Sequence, residues 1–160
     1  MKRQLIIISL ILSLAVAAVC HAAGPKPRKP GPADKCPVCG MFVAKYTDFA
    51  AQLQFKDGTA LFFDGPKDLF KYYLGLAAPQ AGRKPADATA VFVTSYYTLA
   101  PIDGRKAYYV TGSDVSGPMG RELIAFEKEA EARDFKKDHK GKAILRFKEV
   151  TLSIVKELDR

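Results

Sequence analysis

The sequence predicts an α+β fold in which two tandem ββαβ units form one compact domain, followed by a C-terminal helix. Three observations lead to this prediction. The 160 residues suit a single domain. Short β-rich segments bounded by turn residues occur in both halves of the chain, and each half also holds one segment with helical spacing of its apolar residues. Both halves therefore have the order strand, strand, helix, strand, with units at about residues 42–98 and 99–150.

The first unit has three predicted strands, at residues 49–55, 59–63 and 90–97. Lys56-Asp57-Gly58 forms the hairpin turn between the first two strands. Asp64 or Gly65 then caps a helix, and Pro66 suits the first turn of that helix. Large apolar side chains follow at helical spacing, so one face of the helix is expected to be buried.

The second unit has predicted strands at residues 105–111, 122–126 and 143–147. Residues 127–139 predict a helix that is acidic in its first turn and lysine-rich in its last turn, as the helix dipole favours. Gly141 ends this helix, and residues 151–158 predict the C-terminal helix. Four tyrosines are expected as strand aromatics, packed in the core or in cross-strand pairs: Tyr96, Tyr97, Tyr108 and Tyr109.

The first 22 residues predict an export signal. Lys2 and Arg3 supply charge, and the uncharged stretch 5–19 is 15 residues long, which is short of the ~20 that span a bilayer. Cleavage after Ala22 would make the segment an ordinary signal peptide. Alternatively, the sequence before Cys20 is loosely like a lipoprotein signal, and Cys20 would then be acylated. Either reading places the mature protein in the periplasm, with membrane attachment if Cys20 carries a lipid.

Residues 23–35 contain four prolines and no large apolar side chain, so they predict a flexible tether. The formal net charge of +8 suits docking on acidic partners or anionic headgroups. Nucleic acid is not expected as a partner, because the protein is exported and no basic block is interleaved with aromatic residues.

The motif Cys36-Pro37-Val38-Cys39-Gly40-Met41 carries most of the chemical information. Two thiols separated by two residues can bind a metal, form a disulfide or exchange electrons. A structural zinc site needs four nitrogen or sulfur ligands, and the only further candidate after Cys39 is His139. The thioether of Met41 is a good ligand for Cu(I), as a thiolate is. The motif therefore favours a soft-metal site.

Met119 lies in Ser116-Gly117-Pro118-Met119-Gly120, a loop without apolar periodicity. A methionine there is less expected to fill the core than one on a helix face, so Met119 is a candidate ligand from the second unit. His139 is expected to satisfy the carbonyls and dipole at a helix C-terminus. Asp64 is expected to cap a helix; the alternative is that it lies near the cysteines and supports their site. No nucleophile or phosphate-binding motif is present, so an enzyme is not expected.

Four segments together resemble the NosL family of accessory proteins for nitrous oxide reductase maturation: CPVCGM, FFDGPKDLFKYY, MGRELIAF and the F-x-x-x-H-x-G run at 135–141. The resemblance covers residues 36 to about 150 and implies a metal-binding domain at 36–160. It implies an exported, usually lipid-anchored Cu(I) chaperone with a tandem ββαβ fold. The partners it implies are nitrous oxide reductase, whose copper–sulfur centre would receive the metal, and an ABC-type membrane complex.

Carried onto this chain, the resemblance implies metal ligation by Cys39 and Met41, with Met119 and Cys36 as further ligands. Two other classes of protein remain open. A periplasmic thiol–disulfide oxidoreductase would use Cys36 and Cys39 and need neither methionine. A binding module for heavy metals such as mercury would need only the thiols.

Overall fold

The computed structural model describes residues 24–78 and 82–160, so the expected signal segment and Cys20 lie outside the described residues. The strands are β1 (Ala51–Phe55), β2 (Ala60–Phe63), β3 (Ala88–Thr94), β4 (Pro101–Asp103), β5 (Tyr108–Thr111), β6 (Ser116–Gly117), β7 (Gly120–Arg121), β8 (Ile124–Phe126) and β9 (Ala143–Arg146). The α-helices are α1 (Pro66–Tyr73), α2 (Glu129–Asp138) and α3 (Leu152–Glu157). Within the described residues, no helix combines the length and apolar character needed to cross a membrane.

Two antiparallel sheets repeat one topology. The first sheet has the strand order β2-β1-β3-β4 and the second has the order β8-β5-β9. In each sheet the strand that is first in the ββαβ unit is central, with β2 and β3 flanking β1 and β8 and β9 flanking β5. The helix of each unit lies between the two flanking strands in sequence. The predicted α+β class with tandem ββαβ units is therefore confirmed, and so is the C-terminal helix.

The connection between the units differs from the sequence expectation. Residues 101–103 form β4, which pairs with β3 and extends the first sheet beyond residue 98. The strand predicted at 105–111 begins only at Tyr108, because a turn precedes it in which the Asp103 carboxylate accepts a hydrogen bond from the Arg105 N–H at 2.9 Å. The short hairpin β6–β7 was not predicted from the sequence.

Tyr96 and Tyr97 were predicted in a strand, and that prediction is wrong. The strand ends at Thr94, and the two tyrosines lie in a turn that packs on the second unit. The Tyr96 N–H donates to the carbonyl of Ala125 at 2.9 Å, and its ring lies 5.0 Å from that of Phe135. Contacts to the second unit, rather than strand pairing, fix these aromatics. Tyr108 and Tyr109 lie in β5 as predicted.

The predicted tether is held against the first sheet rather than free along its whole length. The Arg28 N–H donates to the Gln52 side-chain oxygen at 3.0 Å, and the Gln52 amide donates back to the Arg28 carbonyl at 2.9 Å. The Gln54 amide donates to the carbonyl of Lys26 at 2.8 Å. The composition of residues 23–35 predicted flexibility because it takes no account of the hydrogen-bond partners of this segment, the two amide side chains buried on β1.

The larger of two hydrophobic clusters spans both units, with α1 where they meet, and the smaller cluster lies in the second unit under α2. Phe70 of α1 packs at 5.2 Å from Tyr109 of β5 and at 4.9 Å from Phe147, measured between ring centroids. All three side chains are buried. The second unit therefore fixes the position of α1, the helix whose first turn borders the site described below.

The N-terminus of α1 is satisfied by a carboxylate from the other unit. Gly65 is the N-cap residue, and no side chain of the cap itself makes a capping bond. Instead, Glu122 accepts hydrogen bonds from the backbone N–H groups of Lys67 and Leu123. A Cβ at position 65 would collide with the Glu122 carboxyl group, so a larger residue there would displace Glu122 from the helix N-terminus. The expectation that Asp64 caps the helix is wrong.

Burial of Glu122 predicts an unusual pH dependence of stability. Desolvation raises the pKa of Glu122 from 4.5 to about 8, so the folded state binds the proton more tightly than the unfolded state. Stability should therefore fall as the pH rises from about 5 to 8, by up to about 1.4 kcal/mol per pH unit from this group. Glu122→Gln should flatten the slope in urea unfolding across this range. The exposed Glu127→Gln should leave it unchanged; equal slopes in wild type and Glu122→Gln would contradict the assignment.

Candidate metal site

The cysteine motif forms a closed loop. Lys35 and Phe42 pair as an isolated antiparallel bridge at its base. Inside this bridge, the Cys36 N–H donates to the Met41 carbonyl at 2.8 Å, and the Gly40 N–H donates to the Cys36 carbonyl at 2.9 Å. Gly40 has φ +79°, a left-handed conformation that glycine adopts without a Cβ penalty. The loop therefore turns tightly enough to bring the two thiols close together.

Two carboxylates meet the thiols from the junction between β2 and α1. The Cys39 Sγ lies 3.2 Å from Asp64 Oδ1, and the Cys36 Sγ lies 3.4 Å from Asp68 Oδ2, each at a distance at which the thiol donates to the carboxylate. The four potential ligand atoms lie within 4.8 Å of one another. Asp64 thus faces a thiol instead of capping the helix.

Burial is uneven across this group. Cys36, Asp64 and Asp68 are each at most 2% exposed, whereas Cys39 is only partly buried. One thiol therefore lies in the interior, and the other lies nearer to solvent. An ion held here would be approached from the Cys39 side.

Both cysteines are free thiols, and both resist ionisation. Burial raises the pKa of Cys39 to about 12, and burial raises the pKa of Cys36 further still. Reactive cysteines in thiol–disulfide exchange have the opposite property, a pKa lowered by a helix N-terminus or a cationic neighbour. A metal ion that binds here must displace the thiol protons.

Asp68 is tied to the C-terminus through a lysine. Its Oδ1 lies 3.3 Å from the Nζ of Lys71, and that Nζ lies 2.7 Å from Asp159 Oδ1. The negative charge of the buried carboxylate is therefore compensated by an ammonium group on the next turn of α1. This pairing fixes the carboxylate without taking the oxygen that faces Cys36.

The structure places the two candidate methionines in different segments. Met41 is partly buried in the cysteine loop itself. Met119 is 46% exposed in the turn between β6 and β7. The backbone carbonyl of Met119 accepts a hydrogen bond of 2.7 Å from the Nζ of Lys67, in the first turn of α1. The turn of Met119 therefore contacts the helix that also carries Asp68.

His139 lies in the second unit as the C-cap residue of α2, in the position predicted from the sequence. Its ring stacks on Phe135 at 4.3 Å, and its Nδ1 lies 3.0 Å from Asp114 Oδ1. The side chain is engaged by a carboxylate and an aromatic ring, in keeping with the expectation that it has a structural role.

Sequence reasoning missed Asp68 as a neighbour of the thiols, and it offered a place near the cysteines for Asp64 only as the alternative to a helix cap. Asp68 was not singled out at all, and Asp64 was assigned to a cap. The available signal was the spacing Asp64-x-x-x-Asp68 across a strand-to-helix junction, because residues four apart face the same side at the start of a helix. Together with the thiols they form a set of two soft and two hard donors, of which the sulfurs select soft ions such as Cu(I).

Comparisons with a family model, a curated relative and a solved structure agree with one another. A family model described as NosL matches residues 27–155, a range that contains every motif of the resemblance. The copper-binding lipoprotein NosL of Stutzerimonas stutzeri is 27% identical to this chain over 136 residues. The match covers 78% of this chain and 65% of the relative, so the chain spans just under two thirds of that protein. The crystal structure of the copper chaperone NosL from Shewanella denitrificans matches with a TM-score of 0.67 at 23% identity, over 82% of this chain and 99% of that one, and shows the same fold.

Proposed function

This chain belongs to the NosL family, as the motifs predicted, and we propose that it is an exported Cu(I) chaperone. The client we propose is a periplasmic copper enzyme, nitrous oxide reductase, whose copper–sulfur centre would receive the ion. An ABC-type membrane complex is the second proposed partner. The names of the two relatives describe a binding protein and a chaperone, not an enzyme.

One observation carries the proposal of copper binding: two free thiols and two carboxylates converge within 4.8 Å at the base of α1. Thiolate and thioether ligands favour Cu(I) over harder ions, and Met41 belongs to the same closed loop as the thiols. We propose that Cys36 and Cys39 bind as thiolates and that Met41 and Met119 supply thioether ligands.

The unequal exposure of the ligands suits transfer of the ion. Cys36 is 2% exposed and Cys39 is partly buried, whereas Met119 is 46% exposed. We propose that incoming ligands of the partner displace the exposed thioether first, then Cys39, and Cys36 last. Stepwise exchange of this kind releases the ion to a partner without freeing it in solution.

The oxidoreductase alternative is disfavoured by the site itself. The cysteine motif lies in an irregular loop and not at a helix N-terminus, and the pKa of both thiols is raised by burial. Thiolate attack on a disulfide would therefore be slow at neutral pH. Export to the periplasm and acylation at Cys20 are part of the proposal, and they accord with the description of the Stutzerimonas stutzeri relative as a lipoprotein.

Replacement of each methionine by leucine tests the thioether ligands. Met41→Leu and Met119→Leu keep the apolar volume while removing the sulfur. Each is expected to weaken Cu(I) binding about 10-fold or more, as loss of a weak ligand of an otherwise intact site would. Competition with a Cu(I) chelator measures the effect. Leu145→Met, a conservative swap on β9, is the control and should bind copper like the wild type.

The Cu(I) affinities of the two methionine variants distinguish the mixed sulfur site from a site of thiols alone. Weaker Cu(I) binding in both methionine variants supports the chaperone with a mixed sulfur site. Unchanged affinity in both would remove the methionines from the site and favour a binding module that uses the thiols alone.

A further inference from the structure

The turn that carries Met119 is attached to the metal site by one buried lysine. Lys67 is 1% exposed, and its Nζ donates to the Met119 carbonyl at 2.7 Å. The same Nζ lies 3.5 Å from Asp159 Oδ1. Removing an ammonium group from water is costly unless it is paired and hydrogen-bonded. The observed contacts meet that requirement and tie three segments together: α1, the β6–β7 turn and the C-terminus.

The position of Lys67 on α1 gives this contact its significance. The residue next to it, Asp68, faces the Cys36 thiol at 3.4 Å, and Asp64 faces the Cys39 thiol at 3.2 Å. Three residues within the five-residue stretch 64–68, at the junction of β2 and α1, therefore contact both thiols and the turn of Met119.

The turn is also held on its other sides. Glu122, three residues after Met119, accepts a hydrogen bond from the backbone N–H of Lys67. Pro118 lines the same surface cleft as residues 45–49, the segment that follows the cysteine loop. The turn thus lies between α1 and the chain leaving the cysteine loop, with Lys67 as its side-chain link to the helix.

From these contacts we infer that Lys67 is a positioning residue, which holds the β6–β7 turn so that the Met119 thioether can join the thiols on one copper ion. The inference rests on the proposed function, in which Met119 is a ligand. Lys67 itself does not touch the metal, because a cation is no ligand for Cu(I). It acts through the backbone of Met119, and its loss would leave the thioether on an untethered turn.

Lys67→Leu tests the inference, because leucine fills much of the space of the buried stem, removes the ammonium group and adds no sulfur beside the copper. We expect Cu(I) affinity to fall about 10-fold, as loss of a group that orients a ligand does, and X-ray absorption to count one sulfur neighbour fewer around copper, as in Met119→Leu. Lys142→Leu is the matched control, since Lys142 also pairs with the C-terminal helix, through Glu157 at 3.2 Å. It should bind copper like the wild type.

The double variant Lys67→Leu/Met119→Leu separates positioning from a general effect on stability. If Lys67 acts through Met119, the double variant should bind Cu(I) no more weakly than Met119→Leu alone. Additive losses, or normal affinity in Lys67→Leu beside weak binding in Met119→Leu, would overturn the inference while leaving Met119 as a ligand. Normal affinity in Met119→Leu would instead refute Met119 as a ligand, and the inference with it. Lys67→Ala, which also has no donor and no sulfur, gives the same test if the leucine variant does not fold.

Discussion

Cys39→Ser is expected to weaken Cu(I) binding by on the order of 1,000-fold, because it removes one of two thiolates from a site with few ligands. Serine keeps the side-chain size, and its hydroxyl can still donate to Asp64, which accepts from the thiol at 3.2 Å in the native protein. Cys39 is only partly buried, so the fold should tolerate the change. Chelator competition measures the affinity, and thermal unfolding of the apoprotein checks the fold.

Val38→Ser is the matched control for this experiment. Val38 lies between the two cysteines in the same loop and is also partly buried, so the control introduces a hydroxyl without removing a sulfur. It should retain Cu(I) affinity within a few-fold of wild type. Tight binding in Cys39→Ser, or equal losses in the two variants, would show that the thiol of Cys39 is not a ligand.

The affinity for Cu(I) is expected to rise steeply with pH. Burial holds the pKa of Cys39 at about 12 and that of Cys36 above it, so both thiols are protonated at neutral pH. Each binds copper as a thiolate and releases a proton. The apparent affinity should therefore increase up to about 100-fold per pH unit between pH 6 and 8, once the pH dependence of the competing chelator is taken into account.

The slope of Cu(I) affinity against pH gives the number of thiols that lose a proton on binding. Wild type should release two protons per copper ion, which a weakly buffered titration records directly. Cys39→Ser should release one. Proton release near zero in the wild type would mean that the cysteines remain thiols in the complex, and the proposed ligand set would then be wrong.

Much of the fold was predictable because local chemistry determines it. The turn at Gly58 has φ +81°, and Asp57 accepts a hydrogen bond from the Thr59 N–H at 2.9 Å, as an Asp-Gly hairpin does. Tyr96 was misplaced because its turn is set by the distant carbonyl of Ala125. Arg28 was assigned to a flexible tether for the same reason, since its partner Gln52 lies 24 residues away.

The site was predictable in part. The spacing of the two cysteines identified them as a candidate site, and both lie in one loop of the structure. The carboxylates lie 25 and 32 residues beyond their thiol partners in sequence, and only the packing of α1 against both units brings them there. Periodicity and capping rules gave Asp64 a local role, because Glu122 takes the capping role from the link between β7 and β8, which sequence alone does not place near α1.

X-ray absorption at the copper edge of the Cu(I)-loaded wild-type protein tests the central claim most directly. Sulfur neighbours should dominate the first coordination shell, with two of them lost in the Cys36→Ser/Cys39→Ser double variant. A shell of oxygen and nitrogen atoms in the wild type, or a sulfur shell that persists in the double variant, would contradict a copper site built on these two thiols.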